Sequence, residues 1–241
     1  MTTTFRSAAL TALLIAASAG VQAQALVNGD FSAGLTGWQV LGDACVQATG
    51  AGPELWLTTA SLTSDDDFPL PAGTMNRSGV AAADVGVPGG VESFAGLALG
   101  ALDDSSAGLA AYEGSAASQA FSANAGDRLS FRWNFATRDG LLPDYGFVVV
   151  DGQLTRLGGV GESIWPGHDG YLAETGPQAF SLTFAGGGSH TLAFGVVDVG
   201  DYSLTSALAI GDVHVTPVPE APALLLWLAG LGLGAARPRR G

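Results

Sequence analysis

The chain has 241 residues, with 22 Asp and Glu against nine Arg and no Lys, a formal net charge of −13. So acidic a surface repels nucleic acid and anionic lipid, which excludes nucleic-acid partners. A lone Cys45 permits no internal disulfide, so the fold must rest on its apolar core.

The N-terminus reads as a secretory signal peptide, residues 1–25. Arg6 supplies a basic start, and Ala8 to Gly20 is almost wholly apolar and uncharged. Ala23-Gln24-Ala25 then gives the small-x-small pattern that signal peptidase cuts, with Val21-Gln22-Ala23 as an equivalent site. No Cys follows at once, so lipoprotein processing is not expected.

Residues 26–216 are enough for one domain. They hold five of the arginines and 21 of the acidic residues, a net charge of −16. This suits an extracellular protein, whether the charge serves solubility or collects divalent cations. The expected class is all-β, a single jelly-roll-like antiparallel sandwich. Leu129 to Phe135 alternates apolar and polar without a break, and so does Phe180 to Phe184. Thr191 to Val197 puts Leu192, Phe194 and Val196 on one face. Phe147 to Val150 is a continuous apolar run, as in a strand covered on both faces, and Ala207 to Val215 closes the body. Turns are expected at Ala125-Gly126-Asp127, Arg138-Asp139-Gly140, Asp151-Gly152 and Gly186-Gly187-Gly188. No capped helical pattern occurs before the C-terminus. The stretch from Gly50 to Gly114 reads as long loops with weak strands at Glu54 to Thr58 and Phe94 to Leu99.

At the C-terminus, Pro217-Val218-Pro219-Glu220-Ala221-Pro222 leads into an apolar run, residues 221–236. Arg237-Pro238-Arg239-Arg240 then ends the chain. As a helix the run spans about 24 Å, short of the ~30 Å hydrocarbon core but within what tilt and bilayer thinning absorb. The arginines that follow keep that end cytoplasmic and the body outside. Gly230 and Gly234 have the spacing of a helix-pairing motif, although small residues are common in such tails.

This tripartite ending resembles the PEP-CTERM sorting signal of Gram-negative bacteria, here over residues 217–241. The resemblance implies a precursor anchored in the inner membrane and processed by an exosortase. Release to the cell surface or an exopolysaccharide matrix would follow. The usual Pro-Glu-Pro is replaced by Pro219-Glu220-Ala221, with the proline displaced to Pro222. A permanently anchored envelope protein is the alternative.

Leu26-Val27-Asn28-Gly29-Asp30-Phe31 followed by Gly34-Leu35-Thr36-Gly37-Trp38 resembles the opening of carbohydrate-binding-module-like, galactose-binding-like sandwiches. There Asn-Gly-x-Phe starts the first strand. Phe31 and Trp38 would pin that strand and its turn into the core. Short segments further on, such as Tyr112 to Ala116 and Gly195 to Asp201, are similar to pieces of sandwiches that carry PEP-CTERM tails.

The resemblance implies a structural Ca²⁺ held by oxygen ligands between the first and last strands, here Asn28, Asp30 and Asp212. The family often has Asp one place before Asp212, where this chain has Gly211, and Asp212 would face the other way. Asp198 with Asp201, and Asp65 to Asp67, are further oxygen clusters that also read as turns and a solvated loop. For sugars, the exposed-aromatic candidates are Trp56, Tyr112, Trp165 and Tyr171. The loop holding Trp165, His168 and Tyr171 is the expected binding edge, against ordinary core packing for such aromatics; Trp133, inside its alternating strand, reads as core. His168, His190 and His214 show no metal-ligand spacing, and neither H-E-x-x-H nor G-x-S-x-G occurs. The expected function is a non-catalytic structural or glycan-binding role at the surface or in the matrix, with a carbohydrate-active enzyme on the same scaffold as the alternative.

Overall fold

A computed structural model describes residues 25–63 and 66–218. The signal segment up to Gln24, Asp65 and the sorting tail from Pro219 onward lie outside the described residues. Among those described, no helix is long and apolar enough to cross a membrane.

Among the described residues thirteen strands form two antiparallel sheets. In chain order they are β1 (Gln39–Leu41), β2 (Asp43–Thr49), β3 (Gly52–Thr58), β4 (Ala83–Asp84), β5 (Ala111–Ala123), β6 (Arg128–Thr137), β7 (Tyr145–Val150), β8 (Gln153–Gly159), β9 (Trp165–Pro166), β10 (Ala173–Glu174), β11 (Gln178–Thr183), β12 (Gly188–Val199) and β13 (Ser206–Thr216). The first sheet runs β1-β5-β12-β7-β8, with β4 also on β5. The second runs β2-β3-β13-β6-β10-β9, with β11 also on β6. The all-β sandwich expected from the sequence is therefore observed.

Alternation assigns the faces. Leu55 and Leu57 of β3, Phe131 and Phe135 of β6, Leu192, Phe194 and Val196 of β12, and Leu208 and Ile210 of β13 meet between the sheets as one core. A second cluster, including Val85, Val91, Leu102, Phe147 and Val197, covers the outer face of the first sheet with the segment between β4 and β5. This is why all six residues of β7 are buried: it has packed protein on both faces. The β7–β8 hairpin turns at Asp151 and Gly152, both with positive φ (51° and 75°), as a two-residue hairpin loop demands. Gly195 lies under the Phe147 ring, and a Cβ there would come within 2.3 Å of it, so only glycine lets β12 lie flat against that ring.

Three expectations need correction. Leu26 to Phe31 is not a strand: Asn28 and Phe31 have positive φ (52° and 53°), and the Phe31 N–H donates to the Asn28 carbonyl at 3.2 Å. The anchoring role stands, with Phe31 and Trp38 buried, their rings 5.4 Å apart. Burial of one such side chain contributes roughly 1.5–3 kcal/mol. Phe94 to Leu99 is likewise no strand. A single helical turn, α1 (Val91–Phe94), leads into a bend at Gly96, whose φ is +75°. The buried Glu92 carboxylate accepts the Gly100 and Leu102 N–H groups at 2.7 and 2.8 Å, so these donors go to a side chain rather than to a neighbouring strand. Trp133, finally, is only half-buried, at the margin of the core.

Candidate functional site

The outer face of the second sheet carries the most chemically varied surface. Leu55 and Leu57 point inward, so Glu54 and Trp56 of β3 point out. Beside them Ala209 of β13 pairs with Trp56 on one side and with Asn134 of β6 on the other. Arg132 stands opposite Gly211. A Cβ at Gly211 would sit 3.1 Å from Glu54 and 3.2 Å from Arg132, so the glycine leaves room for that pair to meet across β13. The Arg132 guanidinium lies 3.8 Å from the Glu54 carboxylate and donates to the Ala51 carbonyl at 3.2 Å.

The β9–β10 hairpin forms one wall. His168 Nδ1 lies 2.7 Å from Glu174 Oε2, which also accepts from Asn134 Nδ2 at 2.9 Å. Thr175 Oγ1 donates to Asn134 Oδ1 at 3.1 Å, which fixes the amide. With the β2–β3 turn as the opposite wall, Glu54, Trp56, Arg132, Asn134 and His168 line a groove of about 440 Å³. Burial pushes the Glu54 carboxyl up, against the opposing charges of Arg132 and His168. Pro177 borders both this groove and a second depression of about 490 Å³ floored by Trp165, Glu174 and Gln178. Trp165 is 59% exposed, its ring lying beside Gly176, where a Cβ would come within 3.2 Å of it. The two hollows thus offer carboxylate and amide acceptors, guanidinium, amide and imidazole donors, and one open indole face.

No protein-family model and no curated protein matches the chain. Solved structures do. One is TmCBM61, solved in complex with beta-1,4-galactotriose: TM-score 0.40, 12% identity, covering 81% of this chain and 99% of that one. Another is CBM28, a non-crystalline cellulose specific carbohydrate-binding module: TM-score 0.38, 9% identity, covering 81% and 96%. At these scores neither likeness carries an argument about this chain.

The residues singled out in the sequence have separate fates. Trp165 is exposed and His168 lines the groove, but Tyr171 is not part of any surface. It is 4% exposed, stacked 6.2 Å from Trp56, because the hairpin folds it beneath the groove wall. Trp56 is itself buried; only its margin reaches the groove. Tyr112 lies on the first sheet and packs on Tyr202 at 4.9 Å. The oxygen ligands expected near the first and last strands sit as follows. Asn28 bonds its own loop through Gly34, Thr36 and Ala33, Asp30 accepts from Ser32, and Asp212 is exposed at a bulge with φ of 56°. The Gly29 carbonyl accepts from Val213 N–H at 2.8 Å, so the two segments do meet. Sequence reasoning missed Glu54, Arg132, Asn134 and Glu174. Alternation in β6 already put Arg132 and Asn134 on one face, but nothing local showed which strands would lie beside them.

Proposed function

We propose that the protein is a non-catalytic glycan-binding component of a jelly-roll-like class, taking an extracellular polysaccharide along the outer face of its second sheet. The observation that carries this reading is the groove beside an open indole. Arg132, Asn134 and His168 supply donors and Glu54 and Glu174 acceptors for sugar hydroxyls, and Trp165 offers the apolar ring face of a sugar somewhere to stack. The sequence supports an export route to match. Signal peptidase would cut after Ala23 or Ala25. The precursor would be held in the inner membrane by residues 221–236, and an exosortase-type enzyme acting near Pro219, Glu220, Ala221 and Pro222, ahead of Arg237, Arg239 and Arg240, would deliver the body to the cell surface or matrix.

A glycan array followed by calorimetry on the mature protein tests the binding. Binding weakened by Trp165→Ala, and again by Arg132→Ala, is the expected result. Absence of binding to every glycan tried, or affinity indifferent to both changes, overturns it. A carbohydrate-active enzyme remains the second reading because Glu174 contacts His168 and Glu54 lies within reach of its charge. Two carboxyls about one sugar site are what glycoside cleavage uses. Turnover of a bound polysaccharide, abolished by Glu54→Gln or Glu174→Gln, would favour it.

A further inference from the structure

A row of carboxylates crosses the first sheet at the end where β13 begins. Asp84 of β4 pairs with Glu113 of β5, and Glu113 pairs with Asp198 of β12. Asp144, just before β7, continues the row by accepting the Val199 N–H at 3.0 Å. Ser115, two residues from Glu113 on the same face, bonds across to Thr58, and Asp144 accepts from Ser206 Oγ at 2.6 Å, so this face looks into the space between the sheets. Glu113 is 9% exposed, Asp198 1% and Asp144 0%. Like charges directly opposite one another destabilise a sheet, and burying them raises the cost.

Asp144 has hydrogen bonds on both oxygens. Glu113 Oε1 and Asp198 Oδ1, both buried, have no hydrogen-bond partner among the described residues. Among the described residues no side chain supplies the missing positive charge. The chain contains no Lys. Of the body's arginines, Arg77 lies on Trp56, Arg128 bonds Ser181, Arg132 serves the groove, Arg138 donates to the carbonyls of Gly170, Asp67 and Phe68, and Arg156 lies over Tyr145. Beyond burial, the charges that raise the Glu113 and Asp198 carboxyls are all carboxylates: Asp66, Asp84 and Asp144 on Glu113, and Asp144, Asp201, Glu113 and Asp139 on Asp198.

We infer that Glu113 and Asp198 are the anchoring ligands of a divalent-cation site between the two sheets, with Asp144 beside them. An all-oxygen, multiply acidic set without sulfur or imidazole suits a hard ion, and calcium, which tolerates irregular geometry, suits it better than magnesium. Among the described residues no three His, Cys, Asp or Glu side chains stand at ligand spacing, so binding requires the Glu113 and Asp198 side chains to turn toward the ion. The ion would tie β5 and β12 to β13 through the Asp144–Ser206 bond. The site differs from the one considered at Asn28 and Asp212: Val213, which meets that loop, is seven residues along β13 from Ser206, roughly 23 Å at strand rise.

The test is metal analysis and thermal melting of the purified mature protein in EDTA, in Ca²⁺ and in Mg²⁺. Calcium at a hundredfold excess over its dissociation constant should raise Tm by roughly 5–10 °C over EDTA, with a smaller effect of Mg²⁺. The double variant E113Q/D198N should lose that shift and melt in EDTA no lower than the metal-free native protein, because the repulsion is gone. The single variant D198N, the milder change, should lose most of the shift. The variant D30N/D212N should keep it. Native protein that neither carries nor responds to calcium overturns the inference. So does a full shift in E113Q/D198N, or its loss in D30N/D212N alone.

Discussion

The Arg77 guanidinium lies 4.5 Å from the centre of the Trp56 ring. It is held there by its own backbone: the Arg77 and Ser78 N–H groups donate to the buried Asp43 carboxylate at 3.0 and 2.7 Å. With Tyr171 stacked alongside and His168 edge-on at 6.4 Å, the Trp56 ring is already packed. It shapes the groove without offering a sugar a face, which leaves that part to Trp165.

Trp165→Ala and Trp56→Ala should therefore behave differently. Losing Trp165 should weaken glycan binding by about tenfold and leave Tm almost unchanged, since exposed substitutions cost within about 0.5 kcal/mol. Losing Trp56 should destabilise the fold by about 3–5 kcal/mol. Calorimetric titration and denaturant unfolding of the two variants separate the effects.

Asp43→Ala should cost about 3 kcal/mol and release the loop that carries Arg77. The carboxylate accepts from two backbone N–H groups and from Thr58 Oγ1, and its removal leaves those donors without an acceptor. Urea unfolding measures the loss. Faster hydrogen exchange at Arg77 and Ser78 would show that the loop has opened.

Stability in the absence of metal should fall as pH rises. Burial first, then the charges of Asp66, Asp84 and Asp144, push the Glu113 carboxyl up to about 8 from 4.5, and burial together with Asp144 moves Asp198 the same way. The folded state thus keeps protons that the unfolded chain has released. The stabilisation is complete below about 4.5 and is lost on approach to about 8. Melting curves in EDTA across this range should show Tm declining. Saturating calcium, which binds the ionised carboxylates, should flatten or reverse the trend.

The intact mass of the protein recovered from the medium and cell surface should lack the signal peptide and the residues beyond Pro219-Glu220. A mass that retains the tail, found only in membranes, would instead make it a permanently anchored envelope protein.

Where a strand's own residues carry the signal, the sequence was readable. The alternation in β6 and β12, the apolar run of β7 and the Asp151-Gly152 turn gave strands at those places. Between Gly50 and Gly114 it was much less so. The 83–111 segment covers the first sheet with isolated residues such as Val85, Val91 and Leu102. Beyond the two-residue β4 it satisfies its backbone through local turns and the Glu92 carboxylate rather than a long ladder, so little period is left to read.

By itself, the sequence determined the all-β class, the main strands, the anchoring of Phe31 and Trp38, and an acidic body with no lysine to neutralise it. Those follow from local periodicity and composition, which every residue carries with it. Only the tertiary structure decided that Glu54 meets Arg132 across Gly211, that Tyr171 lies under the groove wall while Trp165 stays open, and that Glu113 faces Asp198. These are consequences of strand order and register. Register pairs residues far apart in this chain, Glu113 with Asp198 at 85 positions and Leu55 with Ile210 at 155, and so it belongs to no single stretch of sequence.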